Sequence, residues 1–188
     1  MSSPQALPAV YIERQSRFRC GLHAINALLK RSEYTPQALD TIADALRDNH
    51  PSPISRFTHP HRSIFGLGNY DLNVLQLALE RKGLEATWLS PKHHLKTLLK
   101  QPNLVGFLVN VRATTFLATV FSALFDDCRH WIAVARYADA FYLVDSMRRQ
   151  PHCFASASHL HRYFDTIRQQ QQAHILFVEH HSQSSTSS

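Results

Sequence analysis

The sequence predicts an α+β domain, with helical patterns in its first half and strand patterns in its second. Three observations support this class. The 188 residues are enough for one domain with a core and tight for two. Apolar residues make up 44% of the chain and charged residues 18%, which is typical of a folded protein. The helical and strand patterns are segregated along the chain, which favours α+β over an alternating α/β arrangement.

The helices of the first half are predicted from apolar spacing and end signals. Residues 20–31 place apolar side chains at helical intervals. Residues 35–49 do the same, with Thr35 as an N-cap and a proline at the first helical position. Residues 71–82 form a third amphipathic pattern, which Gly83 ends.

The strands are predicted from short apolar or alternating runs. They comprise residues 10–12, 85–89, 104–111, 130–137, 141–145 and 175–178. A short helix with a Ser90 cap is expected over residues 90–99, and a longer helix over residues 156–172. Three residues separate the strands 130–137 and 141–145, so these two strands are predicted to form a hairpin.

The ends of the chain differ in composition from its middle. We expect a flexible tail over residues 1–8, one domain over residues 9–180 and a disordered, serine-rich tail over residues 181–188. The first residues have neither the basic nor the apolar region of a secretory signal. Residues 116–125 form the most apolar run, which is too short for a membrane span of about 20 residues. A buried hairpin or core segment is expected there, and no integral membrane segment.

Charge and cysteine usage restrict the possible partners and cofactors. The 20 basic and 14 acidic residues give a formal charge of +6, which raises the question of nucleic-acid binding. No recognition motif or aromatic-rich basic stretch accompanies this charge, so nucleic acid is not expected. Cys20, Cys128 and Cys153 lie far apart, which favours a reducing, cytoplasmic compartment over a disulfide scaffold. The histidine pairs lack the nearby thiolates of structural zinc sites, so no metal is expected.

Four residues are candidates for nucleophilic catalysis. Cys20 begins a predicted helix, where the macrodipole favours a thiolate, although an isolated cysteine is more often a small buried apolar residue. His130 opens one strand of the predicted hairpin and Asp145 ends the other, so the carboxylate is placed to orient the imidazole. The alternative is a strand-capping Asp145 beside a surface histidine. Gln15 precedes Cys20 by five residues and is a candidate oxyanion donor or an ordinary loop residue.

Four motifs occur in order between residues 11 and 146. They are Glu13-x-Gln15 with Cys20-x-x-His23-x-x-Asn26-x-Leu28-Leu29, Gly68-Asn69-Tyr70-Asp71-x-Asn73-Val74-Leu75, Arg129-His130-Trp131-Ile132-Ala133-Val134, and Leu143-Val144-Asp145-Ser146. Together they resemble the Josephin family of cysteine deubiquitinases, and most closely its short, Josephin-domain-only members.

The resemblance implies a papain-like fold in which a helical subdomain carries the nucleophile and an antiparallel sheet carries the base. It implies that Cys20 is the nucleophile, His130 the general base and acid, Asp145 the residue that orients His130, and Gln15 the oxyanion donor. The implied reaction is thiol-dependent hydrolysis of isopeptide or peptide bonds at the ubiquitin C-terminus, through a thioester and without a cofactor. The implied partners are ubiquitin and ubiquitylated proteins or chains, and we expect a monomer.

Several residues have less specific expectations. Trp131, Gly68 and Asn69 are candidates to line the substrate groove, although Trp131 also fits a core position. His23 is expected to be structural and to contact the strand region. The basic tail of ubiquitin is expected to meet acidic residues, and the candidates are Glu13, Asp71, Asp126 and Asp127. The alternative functions are a catalytically weak ubiquitin-binding module and a papain-like hydrolase or transferase that acts on another acyl group.

Overall fold

The computed structural model describes residues 9–15, 19–49, 70–112 and 129–181. Several sequence-based expectations lie outside these ranges. They are the tails before residue 9 and after residue 181, the apolar run 116–125, and the candidate residues Gly68, Asn69, Asp126, Asp127 and Cys128.

The described residues form helices and strands in nearly the predicted order. The helices are α1 (Cys20–Leu29), α2 (Pro36–Asn49), α3 (Leu72–Glu80), α4 (Leu95–Leu98) and α5 (Ala157–Gln171). The strands are β1 (Leu84–Trp88), β2 (Leu104–Arg112), β3 (Arg129–Tyr137), β4 (Ala140–Val144), β5 (His152–Phe154) and β6 (His174–His180). None of the described helices is long and apolar enough to cross a membrane.

Polar side chains fix where three of the helices begin. The Thr35 hydroxyl accepts a hydrogen bond from the Ala38 N–H at 3.2 Å, at the start of α2. The Asp71 carboxylate accepts from the Val74 N–H at 3.1 Å, at the start of α3. The Ser156 hydroxyl caps α5 in the same way. Each cap satisfies an N–H group that the helix itself leaves without a partner, so the predicted starts of these helices are confirmed.

The described strands form one antiparallel sheet in the order β1-β6-β2-β3-β4-β5. The strands β3 and β4 form the predicted hairpin, with Tyr137 opposite Ala140 and Ala133 opposite Val144. The helices and this sheet confirm the predicted α+β class.

The two faces of the sheet bury different sets of helices. Along β3, Trp131, Ala133 and Ala135 belong to a core cluster shared with α1, α2 and α3. The alternating residues Ile132 and Val134 belong to a second cluster shared with α4 and α5. This is why β3 is apolar at successive positions, since a strand that is covered on both faces has no solvent-facing side.

Two local predictions were wrong. Residues 10–12 join no strand ladder, because the Tyr11 N–H donates to the Tyr137 hydroxyl at 2.8 Å instead of to a neighbouring strand. Ser90 does not cap a helix over residues 90–99. Its hydroxyl lies 3.0 Å from the ring Nδ1 of His93, and the helix α4 begins only after His94.

The strand β5 was not predicted. It has only three residues and pairs with β4, with Cys153 opposite Tyr142. A run this short carries no recognisable alternation, so only its pairing with β4 identifies it as a strand.

Candidate active site

Cys20 is the first residue of α1 and one of the more buried residues of the chain, with 4% of its surface exposed. The close packing of the next residue fixes this end of the helix. A Cβ atom on Gly21 would lie 3.2 Å from the Leu75 side chain and 3.4 Å from the Trp131 ring. The start of α1 is therefore held directly against α3 and β3, and the free Cys20 thiol lies at the positive end of the helix dipole.

His130 and Asp145 meet at one end of the hairpin formed by β3 and β4. His130 is the second residue of β3, and Asp145 directly follows β4. The Nε2 atom of His130 lies 2.8 Å from the Oδ1 atom of Asp145, so the contact expected from the sequence is present. The same oxygen accepts from the Met147 N–H at 2.9 Å, and the second oxygen lies 3.5 Å from the Arg148 Nε atom.

The electrostatics of His130 depend on both Asp145 and Cys20. Burial alone lowers the pKa of His130, but hydrogen bonds to Asp145 and to Cys20, and the negative charges of both, raise the pKa to about 9. Burial likewise raises the pKa of Asp145, but its contacts with His130, the Met147 N–H and Arg148 hold it below the usual value. At neutral pH the pair is therefore an imidazolium and a carboxylate. Since Nε2 contacts Asp145, Nδ1 is the nitrogen available to Cys20.

Gln15 is hydrogen-bonded to Ser146, the residue that follows Asp145. The Gln15 N–H donates to the Ser146 carbonyl at 2.9 Å. The Ser146 hydroxyl donates to the Gln15 amide oxygen at 3.0 Å. Because the oxygen of the amide is the end that Ser146 holds, the amide nitrogen points away from Ser146. Ser146 is itself buried, and its contact with Gln15 was not predicted, because no local pattern links residues so far apart in sequence.

The remaining polar residues of the first motif form a separate cluster. His23 is buried, as expected of a structural residue, and its Nδ1 lies 2.6 Å from the Glu13 carboxylate. Asn26 donates to both carboxylate oxygens of Glu13, at 3.2 and 3.3 Å. Glu13 is therefore engaged within the fold and does not offer its carboxylate to a substrate tail. Asp71, expected in the same role, caps α3.

Trp131 is buried and belongs to the core. Its ring NH donates to the Tyr70 carbonyl at 3.3 Å, and 6% of its surface is exposed. The core position was the alternative raised for this residue, and the structure places its indole there and not in an open groove. Met147, which follows Ser146, is an exposed apolar residue next to the site, with 52% of its surface exposed.

Among the described residues, no three His, Cys, Asp or Glu side chains are grouped so that they could hold a metal ion. The His130 imidazolium is hydrogen-bonded to the Asp145 carboxylate, and the Cys20 side chain is close enough to help raise the pKa of His130. This arrangement is typical of nucleophilic catalysis by cysteine.

Comparisons with known proteins match the whole region that carries these residues. The sequence profile of the Josephin family matches residues 15–179. A Josephin-like protein of Drosophila melanogaster is 33% identical over 170 residues, which cover 90% of this chain and 72% of the relative. Josephin-2 of Homo sapiens is 35% identical over 144 residues, covering 77% and 72%. A Josephin-like protein of Arabidopsis thaliana is 29% identical over 164 residues, covering 83% and 44%.

Proposed function

The chain belongs to the Josephin family, and on that premise we propose that it hydrolyses isopeptide or peptide bonds at the C-terminus of ubiquitin. The predicted papain-like α+β fold is confirmed, and family membership indicates cysteine-protease chemistry of the deubiquitinase type. The observation that supports the proposal for this member is the 2.8 Å contact of His130 with Asp145, together with the interaction with Cys20 that helps to raise the pKa of His130.

The first step is attack by Cys20. His130 is protonated at neutral pH, and the proposed attacking species is the thiolate of Cys20, which is the nucleophilic form of the side chain. The sulfur attacks the carbonyl carbon of the terminal glycine of ubiquitin, and the carbonyl oxygen becomes an oxyanion. The Gln15 amide nitrogen and the Cys20 N–H are the proposed donors to this oxygen. Loss of one such donor typically lowers the rate by about 10²–10³.

The second step is release of the two products. His130 gives its proton to the leaving lysine amine, and a thioester between Cys20 and ubiquitin remains. Neutral His130 then takes a proton from water, which attacks the thioester and restores the thiolate and the imidazolium. Throughout, Asp145 keeps Nε2 of His130 engaged, so that Nδ1 faces the reacting atoms.

The substrates are ubiquitin adducts and chains, and every step uses side chains and water, so no cofactor is required. We further propose that the protein acts as a monomer in a reducing, cytoplasmic compartment. Cys20 then stays reduced without the help of another cysteine.

The direct test is reaction with a ubiquitin that carries an electrophile at its C-terminus, followed by mass spectrometry of the adduct. We expect the adduct on Cys20, and we expect Cys20→Ala to abolish both the adduct and the hydrolysis of a ubiquitin C-terminal amide. Cys153→Ala is the matched control, because this thiol is free and exposed, and it is expected to retain full activity.

Three results would contradict the proposal. Full hydrolysis by Cys20→Ala would remove the assigned nucleophile. Binding of the probe without a covalent bond would favour a ubiquitin-binding module of negligible turnover. No reaction with ubiquitin, but acylation of Cys20 by a different acyl donor, would favour a papain-like enzyme of another specificity.

A further inference from the structure

A second polar cluster lies between α1 and the segment that carries Gln15. We call it the Glu13 cluster, and it consists of Tyr11, Glu13, His23 and Asn26. The Tyr11 hydroxyl donates to one carboxylate oxygen of Glu13, and His23 Nδ1 lies 2.6 Å from the other. The Asn26 amide donates to both oxygens. The catalytic steps proposed above use none of these four side chains.

The carboxylate of Glu13 is charged although it is poorly exposed. Its side chain is 18% exposed, and burial alone raises the pKa of Glu13. The hydrogen bonds from Tyr11, His23 and Asn26 outweigh burial and hold the pKa below its usual value. Bonds to an ionised acceptor are about twice as strong as neutral ones. The cluster therefore holds Glu13 firmly in place.

Two members of the cluster belong to the helix that begins with Cys20. His23 and Asn26 follow Cys20 by three and six residues, and they are 8% and 0% exposed. Asn26 also accepts from the Tyr34 N–H at 2.9 Å and donates to the Tyr34 carbonyl at 3.0 Å. Its orientation is thus fixed independently of Glu13, and the amide is a rigid support for the carboxylate.

Gln15 lies at most about 7 Å along the chain from Glu13. Residues 9–15 contain no helix or strand, so individual hydrogen bonds of the backbone and side chains fix the position of this segment. Gln15 is tied to Ser146 on the sheet side of the site, by the two hydrogen bonds described above. Glu13 ties the same segment to α1 on the other side. The amide of Gln15 is therefore held between the helix that carries Cys20 and the strand end that carries Asp145.

We propose that the Glu13 cluster is a positioning device that sets the distance between the Gln15 amide and the Cys20 sulfur. This inference rests on the proposed function, because it assigns Gln15 to the oxyanion. The physical reason is that an oxyanion donor must lie about 2.7–3.1 Å from the developing charge. A displacement of about 1 Å costs about 10²-fold in rate. Glu13, His23 and Asn26 are positioning residues and touch no reacting atom.

The test is a double-mutant cycle on ubiquitin C-terminal amide hydrolysis. Glu13→Gln keeps the shape of the side chain and removes its charge. We expect kcat to fall by about 10–100-fold with little change in KM, since the lost interaction is one made in the transition state. In a Gln15→Ala background the same change is expected to lower kcat by less than about twofold, because residues that act through one group are not additive. Additive losses would overturn the proposal.

A matched control and a second reaction separate positioning from general damage. Glu33→Gln makes the same chemical change at a side chain that is 17% exposed and pairs with Arg31 and Lys82, and it is expected to leave kcat unchanged. Alkylation of Cys20 by iodoacetamide forms no oxyanion. Its rate is expected to stay within about twofold in Glu13→Gln, since the pair of Cys20 and His130 is intact. An equal loss of alkylation and of kcat would overturn the proposal.

Two further measurements keep the inference independent of folding and of the substrate. If Glu13→Gln does not fold, Tyr11→Phe removes one donor and is expected to act in the same direction with a smaller loss of kcat. Independently of turnover, the side-chain amide NMR signals of Gln15 are expected to shift in Glu13→Gln. Those of Asn103, whose amide donates to the Glu179 carboxylate at 2.9 Å, are not expected to shift. A wild-type protein that leaves ubiquitin intact would contradict the proposed function. Unmoved Gln15 signals would contradict the positioning role.

Discussion

The molecule contains two buried histidine–carboxylate pairs that look alike and differ in what surrounds them. His130 and Asp145 are 2.8 Å apart, and His23 and Glu13 are 2.6 Å apart. Both histidines are 8% exposed. Residue type, separation and burial therefore do not distinguish the pairs. The difference lies in the remaining ring nitrogen, because that of His130 is available to the Cys20 thiol.

The surroundings of the two carboxylates differ in the same way. Glu13 is enclosed by Tyr11 of its own segment and by His23 and Asn26 of α1. Asp145 has one partner at the surface, since the Arg148 side chain is 61% exposed. The enclosed pair is suited to holding two segments together. The pair of His130 and Asp145 lies beside the Cys20 side chain, so we assign chemistry to it alone.

The largest expected effect on catalysis comes from replacing the two histidines by glutamine, one at a time. His130→Gln removes the general base and is expected to lower kcat/KM by about 10²–10⁴. Its stability should change less, since glutamine still offers Asp145 a donor. His23→Gln likewise leaves Glu13 a donor, so it is expected to lower the free energy of unfolding by only about 0.5–1.5 kcal/mol, and it is expected to lower kcat by about tenfold through Gln15. Steady-state kinetics and urea unfolding measure both quantities. Similar kinetic losses in the two variants would remove the distinction.

An intermediate effect is expected in the pH dependence. The pKa of His130 is raised from 6.5 to about 9, so activity that needs the imidazolium should fall as the pH rises through about 9. The same shift stabilises the folded state fully below pH 6.5, and this contribution is lost as the pH rises through about 9. Asp145→Asn removes a charge that raises the pKa of His130, so the alkaline limb of kcat/KM should move to lower pH. Glu13→Gln is the control, and a limb that moves equally in both variants would contradict the assignment.

The smallest effect is expected at Arg148. Its Nε atom is 3.5 Å from Asp145 and the side chain is 61% exposed, so solvent and salt screen the attraction. Arg148→Gln is expected to lower kcat/KM by less than about threefold at low ionic strength, and by nothing measurable at about 1 M salt. Arg149→Gln, also exposed, controls for the loss of one positive charge nearby. A large loss that persists at high salt would make Arg148 part of the substrate site.

Most of the fold and the candidate catalytic residues could be predicted because their signals are local. Capping residues precede α2, α3 and α5, and the motifs around Cys20, His130 and Asp145 are continuous in sequence. The contact between His130 and Asp145 needed only a hairpin between neighbouring strands.

The errors arose where a distant contact decides the structure. Residues 10–12 have a strand-like composition, but the Tyr11 N–H donates its hydrogen bond to the hydroxyl of Tyr137, which is more than a hundred residues away in sequence. The same holds for Glu13. From the sequence alone, Glu13 is equally compatible with an acidic surface position. Only the position of α1 in the structure shows that His23 and Asn26 enclose it. Ser146 likewise contacts Gln15 across a large sequence separation.

The position of β6 in the sheet has a consequence for how the chain folds. Although it is the last of the described strands, β6 lies between β1 and β2, with Val178 opposite Ala86 and Leu176 opposite Leu108. The hairpin of β3 and β4 forms from neighbouring sequence, whereas β1 and β2 are joined only after β6 has been synthesised. Pairing between such distant segments slows folding. Until β6 arrives, β1 and β2 present open edges that invite pairing with other chains, so a chain truncated before residue 174 is expected to aggregate.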